Sequence, residues 1–238
     1  MPPWSIAETK LLVADRRGDE RLSRIEPSLY AMWQRQRYAR YHFLEVGRLL
    51  ADFQEAYLKT DILISVTHGQ EEEPRAAFDE FMMKAGAHVV ACVLSIHSMA
   101  DVTAFAAYLA LDYQSNTKIR RERDVTAAVM QPLLAANPQH QVIADAFARL
   151  TSSPAFIHIS ALSNHSKHRG LIKPLLNEDW TGIREKAHEV RFASFSYDQT
   201  LYPEAEIARV LAPAYEAASI AVVTVGNEIN ALLSTGAA

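Results

Sequence analysis

Two histidines and two permanent cations stand close together in the second half of the chain, where residues 163–170 read SNHSKHRG. Imidazoles titrate near neutral pH and suit proton transfer, whereas lysine and arginine hold phosphate oxygens. Metal-free cleavage of RNA needs a base, an acid and a cation that stabilises the developing charge. We therefore expect His165 and His168 as catalytic candidates. The other expected ligand contacts are Asn164, Lys167 and Arg169.

The same segment also has a purely structural explanation. Cations in the last turn of a helix complement the helix dipole, and Gly170 would supply a left-handed cap. On a continuous helix His158 shares a face with His165 and His168, and apolar neighbours predict that this face is partly buried. A phosphate site without cleavage uses the same cations. These explanations stay open at the level of sequence.

A metal centre is the rival chemistry. Glu185 and His188 have the i, i+3 spacing by which a helix presents a carboxylate and an imidazole to an iron pair. This motif normally occurs twice, and the chain has it once. We therefore expect a solvated helix face there, and neither a metal nor a cofactor. The histidines that would have to join such a centre are His88, His97, His158 and His165.

Few other residues suggest chemistry. Cys92 is the single cysteine and lies in an apolar stretch, which predicts a small buried side chain. Glycine-rich phosphate loops, dinucleotide fingerprints and Ser-His-Asp signatures are absent from the sequence. The one further basic cluster flanks a loop and is either solvated or a weak phosphate contact. It consists of Lys118, Arg120, Arg121 and Arg123.

Two long helices are expected to position these groups. Apolar residues recur at helical spacing from Pro27, a first-turn proline, to about Thr60. A second helix opens with three glutamates and Pro74 and continues to about Tyr113. Joined by a short link, the two form an antiparallel hairpin, the usual nucleus of a bundle. The link from Ile62 to Val66 is either a short strand or the tail of the first helix.

The remaining elements are shorter. The fold class is all-α, a helical bundle built on the two long antiparallel helices, with a short β excursion near 190–197. One helix is expected to start at Pro154 and to carry the SNHSKHRG segment at its far end. The other helices are expected at Val125 to Ala136, capped by Asp124, at Gln139 to Leu150, and at Pro203 to Leu233 with a kink at Pro213.

The helical plan, with Asn-x-x-Lys-His-Arg at a helix end after a long hairpin, resembles the HEPN superfamily of helical nucleotide- and RNA-associated domains. The resemblance implies a metal-free dimer that binds RNA or a nucleotide. Nuclease members carry an arginine four to six positions before a histidine, and no arginine stands there before His165 or His168. A formal match, Arg37 to His42, lies inside the first long helix.

Composition limits the class of protein. The chain has 238 residues, 49% of them hydrophobic, and a net charge of −4, so any nucleic acid must be held by a local patch. We expect one helical domain over 1–238. No secretory signal is visible in Met1 to Lys10, and the apolar stretch from Ala85 to Leu111 contains His88 and Asp101, which favours a core helix. We therefore expect a cytoplasmic protein without a membrane partner.

Two functions remain at the level of sequence. The first is a HEPN-like domain that binds RNA or a nucleotide. The second is a non-catalytic, dimeric helical structural or interaction protein. A homodimer is expected in either case, because the second long helix and the last one, with Ile220, Val222, Val223 and Val225, are apolar nearly all round. The sequence does not identify the ligand.

Overall fold

The computed structural model describes residues 2–115, 119 and 121–236, and most of this part of the chain is helical. This confirms a mostly α-helical bundle in which two long helices pack closely. The α-helices in the described part are α1 (Ile6–Arg17), α2 (Asp19–Tyr57), α3 (Leu63–His68), α4 (Glu72–Ala110), α5 (Ala127–Ala135), α6 (Gln141–Ser152), α7 (Pro154–His168) and α8 (Ile207–Thr235).

The two long helices differ slightly from their predicted bounds. Helix α2 begins at Asp19, so Pro27 lies inside it and not at its first turn. A proline within a helix costs about 3 kcal/mol because it lacks the N–H group. Ile25 and Leu29 on either side of it are fully buried, and we attribute the continuity of the helix to their packing. Helix α1 was not predicted, although Ser5 caps it by accepting the N–H of Glu8.

Two local predictions are wrong. The link after α2 is neither a strand nor a helix tail, because α3 is a separate short helix. Its first N–H, on Leu63, donates to the carboxylate of Glu178 at 3.1 Å, a partner distant in the sequence. The expected cap at Asp124 is also wrong, since Thr126 caps α5 by accepting the N–H of Val129.

The predicted β excursion is confirmed and is larger than expected. Strand β2 lies between β1 and β5 in an antiparallel sheet, and β3 pairs with β4. Asp198 and Gln199, which join β3 to β4, both have positive φ, the backbone that a two-residue hairpin turn requires. The strands are β1 (Pro174–Glu178), β2 (His188–Phe192), β3 (Phe195–Tyr197), β4 (Thr200–Tyr202) and β5 (Ala205–Glu206).

The chain divides into two compact units. Unit 1 comprises 1–37, 95–157 and 213–238, and unit 2 comprises 38–94 and 158–212. In unit 1, α2 and α4 pack at Met32, whose sulfur accepts a hydrogen bond from Thr103 at 3.1 Å. Helix α1 is tied to α8 in the same unit, because Thr9 donates to Asn230 at 2.6 Å. The expectation of one domain over 1–238 stays a prediction.

Unit 2 combines segments of α2 and α4 with the end of α7 and the strands. The antiparallel order of α2 and α4 is visible here, since the Cys92 thiol donates to the carbonyl of Ala39 at 3.3 Å and His88 meets His42. Phe53 and Phe81 stack with ring centres 4.9 Å apart. The core is completed by buried residues of the helices and strands, among them Val46, Val89, Ile159, Leu162, Val190 and Phe192.

Helices α4 and α8 are long and apolar enough to cross a membrane when length and composition alone are considered. In the most apolar 18-residue stretch of each helix, the buried share is 56% for α4 and 39% for α8. Val89, Val93 and Ile96 of α4 are fully buried, as expected for a core helix. The predicted cytoplasmic location stays a prediction.

Candidate functional site at the end of helix α7

The SNHSKHRG segment lies at the C-terminal end of helix α7, as predicted. Pro154 is its first residue, as expected, and the helix ends at His168. The carbonyl of His165 accepts the N–H of Arg169 at 2.8 Å and of Gly170 at 3.1 Å. Gly170 does not adopt the left-handed conformation that a glycine cap would use, so this part of the capping explanation is wrong.

The five predicted site residues divide into two sets. Asn164 and His165 are half-buried. Lys167, His168 and Arg169 are exposed, and their side chains have no hydrogen bond or ion pair with the part of the chain that the structure describes. Exposed cations without a carboxylate partner are available to an anionic ligand.

A groove of about 360 Å³ lies at this end of α7, within unit 2. Of the five predicted residues only His165 lines it, and Gly170 begins the stretch of chain that forms one wall. Its remaining lining comes from the end of α7, from the segment that precedes β1 and from the β2 to β3 connection. These residues are Leu162, Leu171, Ile172, Lys173, Phe192, Ala193, Ser194, Phe195 and Ser196.

Among the described residues, one permanently charged side chain lines the groove, and its charge is positive. Lys173 carries a permanent positive charge and is exposed, and no carboxylate is present among the lining residues. Ser194 and Ser196 are exposed hydroxyls at the same wall, while Phe192 supplies a buried apolar surface. A positive charge and exposed hydroxyls beside an apolar floor fit a ligand with an anionic group and an apolar or aromatic part.

His165 places part of its imidazole at the groove. Its Nδ1 is buried and has no hydrogen-bond partner among the residues that the structure describes. The ring centre lies 5.3 Å from that of Phe195. Leaving a buried polar atom unpaired costs about 1–3 kcal/mol, and this atom is not open to a ligand in the groove.

His158 lies on the same face of α7, as predicted, but its neighbours are aromatic. The ring centre lies 5.8 Å from that of Phe195 and 5.0 Å from that of Tyr202, and Nε2 is buried with no partner in the described part of the chain. Burial lowers the pKa of His158. The imidazole is therefore neutral at neutral pH and extends the apolar surface beside Phe195.

The metal hypothesis loses its geometric basis. Glu185 lies in a bend and His188 in strand β2, so they are not one turn apart on a helix, and the predicted solvated helix face is also wrong. His188 is buried and contacts Glu178, with Nε2 and Oε1 3.2 Å apart. Within the described ranges no group of three or more histidine, cysteine or acidic side chains is arranged to hold a metal ion. The expected absence of a metal stays a prediction.

The structure describes only two residues of the basic cluster near residue 120. Lys118 and Arg120 lie outside the described residues. Arg121 forms two hydrogen bonds with Asp124, at 2.9 and 3.0 Å, so its charge is already paired. Arg123 lies in a short 3₁₀ turn, Glu122–Asp124, and is exposed.

Sequence reasoning missed much of the groove. Lys173, Ser194, Phe195 and Ser196 were not predicted as site residues, because a lone lysine and two serines near strands have no distinctive spacing. The predicted β excursion was the one indication of this wall of the groove. It showed that the chain turns back near these residues, but not that they would lie beside α7.

No protein-family model, curated protein or solved structure matches this chain. The function of the groove is therefore inferred from its shape, its charge and the chemistry of its lining.

Proposed function

We propose that unit 2 binds an anionic ligand with an apolar or aromatic part, specifically a nucleotide or a short single-stranded segment of RNA, in the groove at the end of α7. The groove without a carboxylate, with Lys173 at its wall and unpaired cations next to it in the chain, is the observation that supports this proposal. A HEPN-like relationship belongs to the same proposal.

Size and surface favour this ligand class. A volume of about 360 Å³ lies within the usual range of roughly 300–1,000 Å³ for small-molecule sites. Single-stranded nucleic acids are commonly bound by aromatic side chains together with cations along the backbone. Phe195 and Lys173 supply these two elements, and Lys167 and Arg169 extend the positive surface.

The proposal covers binding and not cleavage. Cleavage without a metal requires an acid and a base that both reach the scissile phosphate. His165 lines the groove, whereas His168 is exposed and outside the lining. The assignment of the two as a catalytic pair stays a prediction.

Calorimetric titration of the full chain at low salt, with adenosine monophosphate and a short oligouridine, tests the proposal. Binding should weaken at least tenfold in the variant Lys173→Ala and should also weaken as salt is added. Lys59→Ala, which alters an exposed lysine just after α2, should bind like the wild type. If the wild type binds neither probe at low salt, or Lys173→Ala binds both unchanged, the proposal is wrong.

A second candidate function, a dimeric interaction protein, is favoured by an exposed aromatic face in unit 2. Tyr38, Tyr41 and Leu44 follow at three-residue spacing on α2 and are 47%, 54% and 57% exposed. The apolar character of α8 is a weaker reason for a dimer, because Val222 and Val225 are buried within the chain itself. Exposed apolar faces of this kind are typical of protein contacts.

A further inference from the structure

His42 of α2 and His88 of α4 meet head-on within unit 2. Their Nδ1 atoms are 2.8 Å apart, and their ring centres are 5.1 Å apart. A ring nitrogen lies about 1.1 Å from the centre of its imidazole, so two rings aligned head-on at this distance would have centres about 5.0 Å apart. The measured separation agrees with a straight N–H···N hydrogen bond.

The same distances argue against a shared metal ion. Two nitrogens 2.8 Å apart that were both bound to one metal at about 2.0–2.1 Å would bring the ring centres to roughly 4.3 Å. The observed 5.1 Å between His42 and His88 is longer. This geometry favours an N–H···N hydrogen bond between the two rings.

The hydrogen bond between His42 and His88 depends on how many protons the pair carries. In the neutral pair one Nδ1 carries hydrogen and donates it to the other Nδ1. One added proton binds Nε2 of the donor ring, which leaves the bond in place and strengthens it by charge. A second must bind the accepting Nδ1, which removes the acceptor and places two cations face to face. The bond is lost at that step.

Some groups around the pair disfavour protonation of His42, and one group favours it. Burial lowers the pKa of His42, and the charge of His88 lowers it further, whereas Glu45 raises it. The Glu45 carboxylate is itself engaged by Arg48, at 2.9 and 3.0 Å. One turn before His88 on α4, Lys84 forms an ion pair with Glu80.

We propose that His42 and His88 form a proton-operated clasp that holds α2 against α4 in unit 2 and opens when both imidazoles are protonated. A histidine with a lowered pKa contributes stability that is present above its ordinary pKa of about 6.5 and is lost as the pH falls below it. The clasp therefore stays closed at neutral pH and opens under mildly acidic conditions.

The single cysteine reports on the clasp. Cys92 lies one turn beyond His88, its thiol donates to the carbonyl of Ala39, and burial raises its pKa to about 12. While α2 and α4 are in contact, the thiol is inaccessible. Opening of the clasp exposes it to a dipyridyl disulfide, a reagent that reacts with thiols in acid.

The experiment compares labelling rates of the full chain between pH 7.5 and 5.0, each divided by the rate for the denatured chain at the same pH. The wild-type ratio should rise at least tenfold on acidification. His88→Asn places an amide near the former Nδ1, which accepts from a charged His42 or donates to a neutral one, so its ratio should stay low at pH 5.0. His68→Asn, which alters a histidine at the end of α3, should respond like the wild type.

A wild-type ratio that does not change with pH, or a His88→Asn variant that still opens, would overturn the clasp. If circular dichroism shows that His88→Asn does not fold, His42→Asn replaces it as the locked variant. Nitrogen chemical shifts of the wild-type imidazoles give an independent measurement. Two histidines that both titrate at the ordinary pKa of about 6.5 would also contradict the clasp.

Discussion

The indole of Trp4 occupies the space that a side chain on Gly226 would need. A β-carbon built on Gly226 would lie 2.2 Å from the ring of Trp4, much closer than atoms can approach. The indole is held there by a hydrogen bond, since its Nε1 donates to Thr9 at 2.8 Å. Thr9 in turn donates to Asn230 of α8, so the start of the chain is bound to α8 by packing and by hydrogen bonds.

Gly226→Ala should therefore destabilise unit 1. The added methyl must displace the Trp4 ring, and overpacking of this kind costs about 1–3 kcal/mol. Urea unfolding followed by tryptophan fluorescence measures the change, and the emission should shift to the red as Trp4 leaves its site. Gly47→Ala is the matched control, because nothing lies near its β-carbon and alanine should stabilise α2 by about 0.5–1 kcal/mol. Equal effects of the two substitutions would contradict the packing argument.

Substitutions of the exposed residues at the end of α7 distinguish a ligand site from simple helix capping. If Arg169 and His168 serve only the helix end, His168→Gln should cost no more than about 1 kcal/mol and change no binding. If Arg169 contacts phosphate, Arg169→Ala should weaken oligouridine binding by about 1–3 kcal/mol, with a reduced salt dependence. Melting temperature and binding, measured side by side, distinguish the two. Unchanged binding in Arg169→Ala would remove this residue from the site.

The hydroxyl of Tyr113 is the only hydrogen-bond partner of the buried His140 side chain in the described part of unit 1. It lies 2.8 Å from Nδ1 of His140, whose Nε2 is buried without a partner. Tyr113→Phe leaves both ring nitrogens unpaired and should destabilise the protein by about 1–3 kcal/mol. Denaturant unfolding tests this. Tyr38→Phe, which alters an exposed ring, should have little effect, and a similar loss in both would argue against the role of His140.

Asp179 organises the turn between β1 and β2. Its carboxylate accepts the N–H and the hydroxyl of Thr181 and the N–H of Arg184, and these hydrogen bonds lower its pKa to about 2. A lowered carboxyl pKa contributes order above the ordinary value near 3.9, which is lost as the pH falls toward 2. Asp179→Ala should show fast amide exchange at Arg184 already at neutral pH. Exchange as slow as in the wild type would contradict this role.

The exposed aromatic face of α2 predicts self-association. We expect light scattering at high micromolar concentration to give the mass of a dimer, and Tyr41→Glu to give a monomer, because a charge cannot be buried unpaired in an interface. Leu201→Glu, at a different exposed apolar position, should remain dimeric. A monomeric wild type would rule out the homodimer.

The long helices were predictable because their signals are repeated many times. Helix α4 combines glutamates at its start with apolar residues at helical spacing, and no single residue decides its existence. Short elements depend on single distant contacts instead. Helix α3 has β-branched residues that suggest a strand, and the carboxylate of Glu178 caps its first N–H from another part of the chain.

The candidate site was predictable in its cations and not in its groove. The spacing from Asn164 to Arg169 places these residues at a helix end, and the structure confirms that position. The groove depends on where the β2 to β3 connection returns, which brings Phe195 against His165. For His188 the sequence pattern was misleading. Its spacing from Glu185 suggests a helix, but His188 is a buried residue of strand β2.

The division of the chain has a consequence for synthesis on the ribosome. Unit 2 ends at Ala212, whereas unit 1 needs the residues beyond it. Thr9 is translated 221 residues before its partner Asn230. Domains tend to fold as their segments become available during translation. Helix α1 is therefore made well before its packing surface on α8, and a nascent chain that stalls before α8 leaves it without that surface.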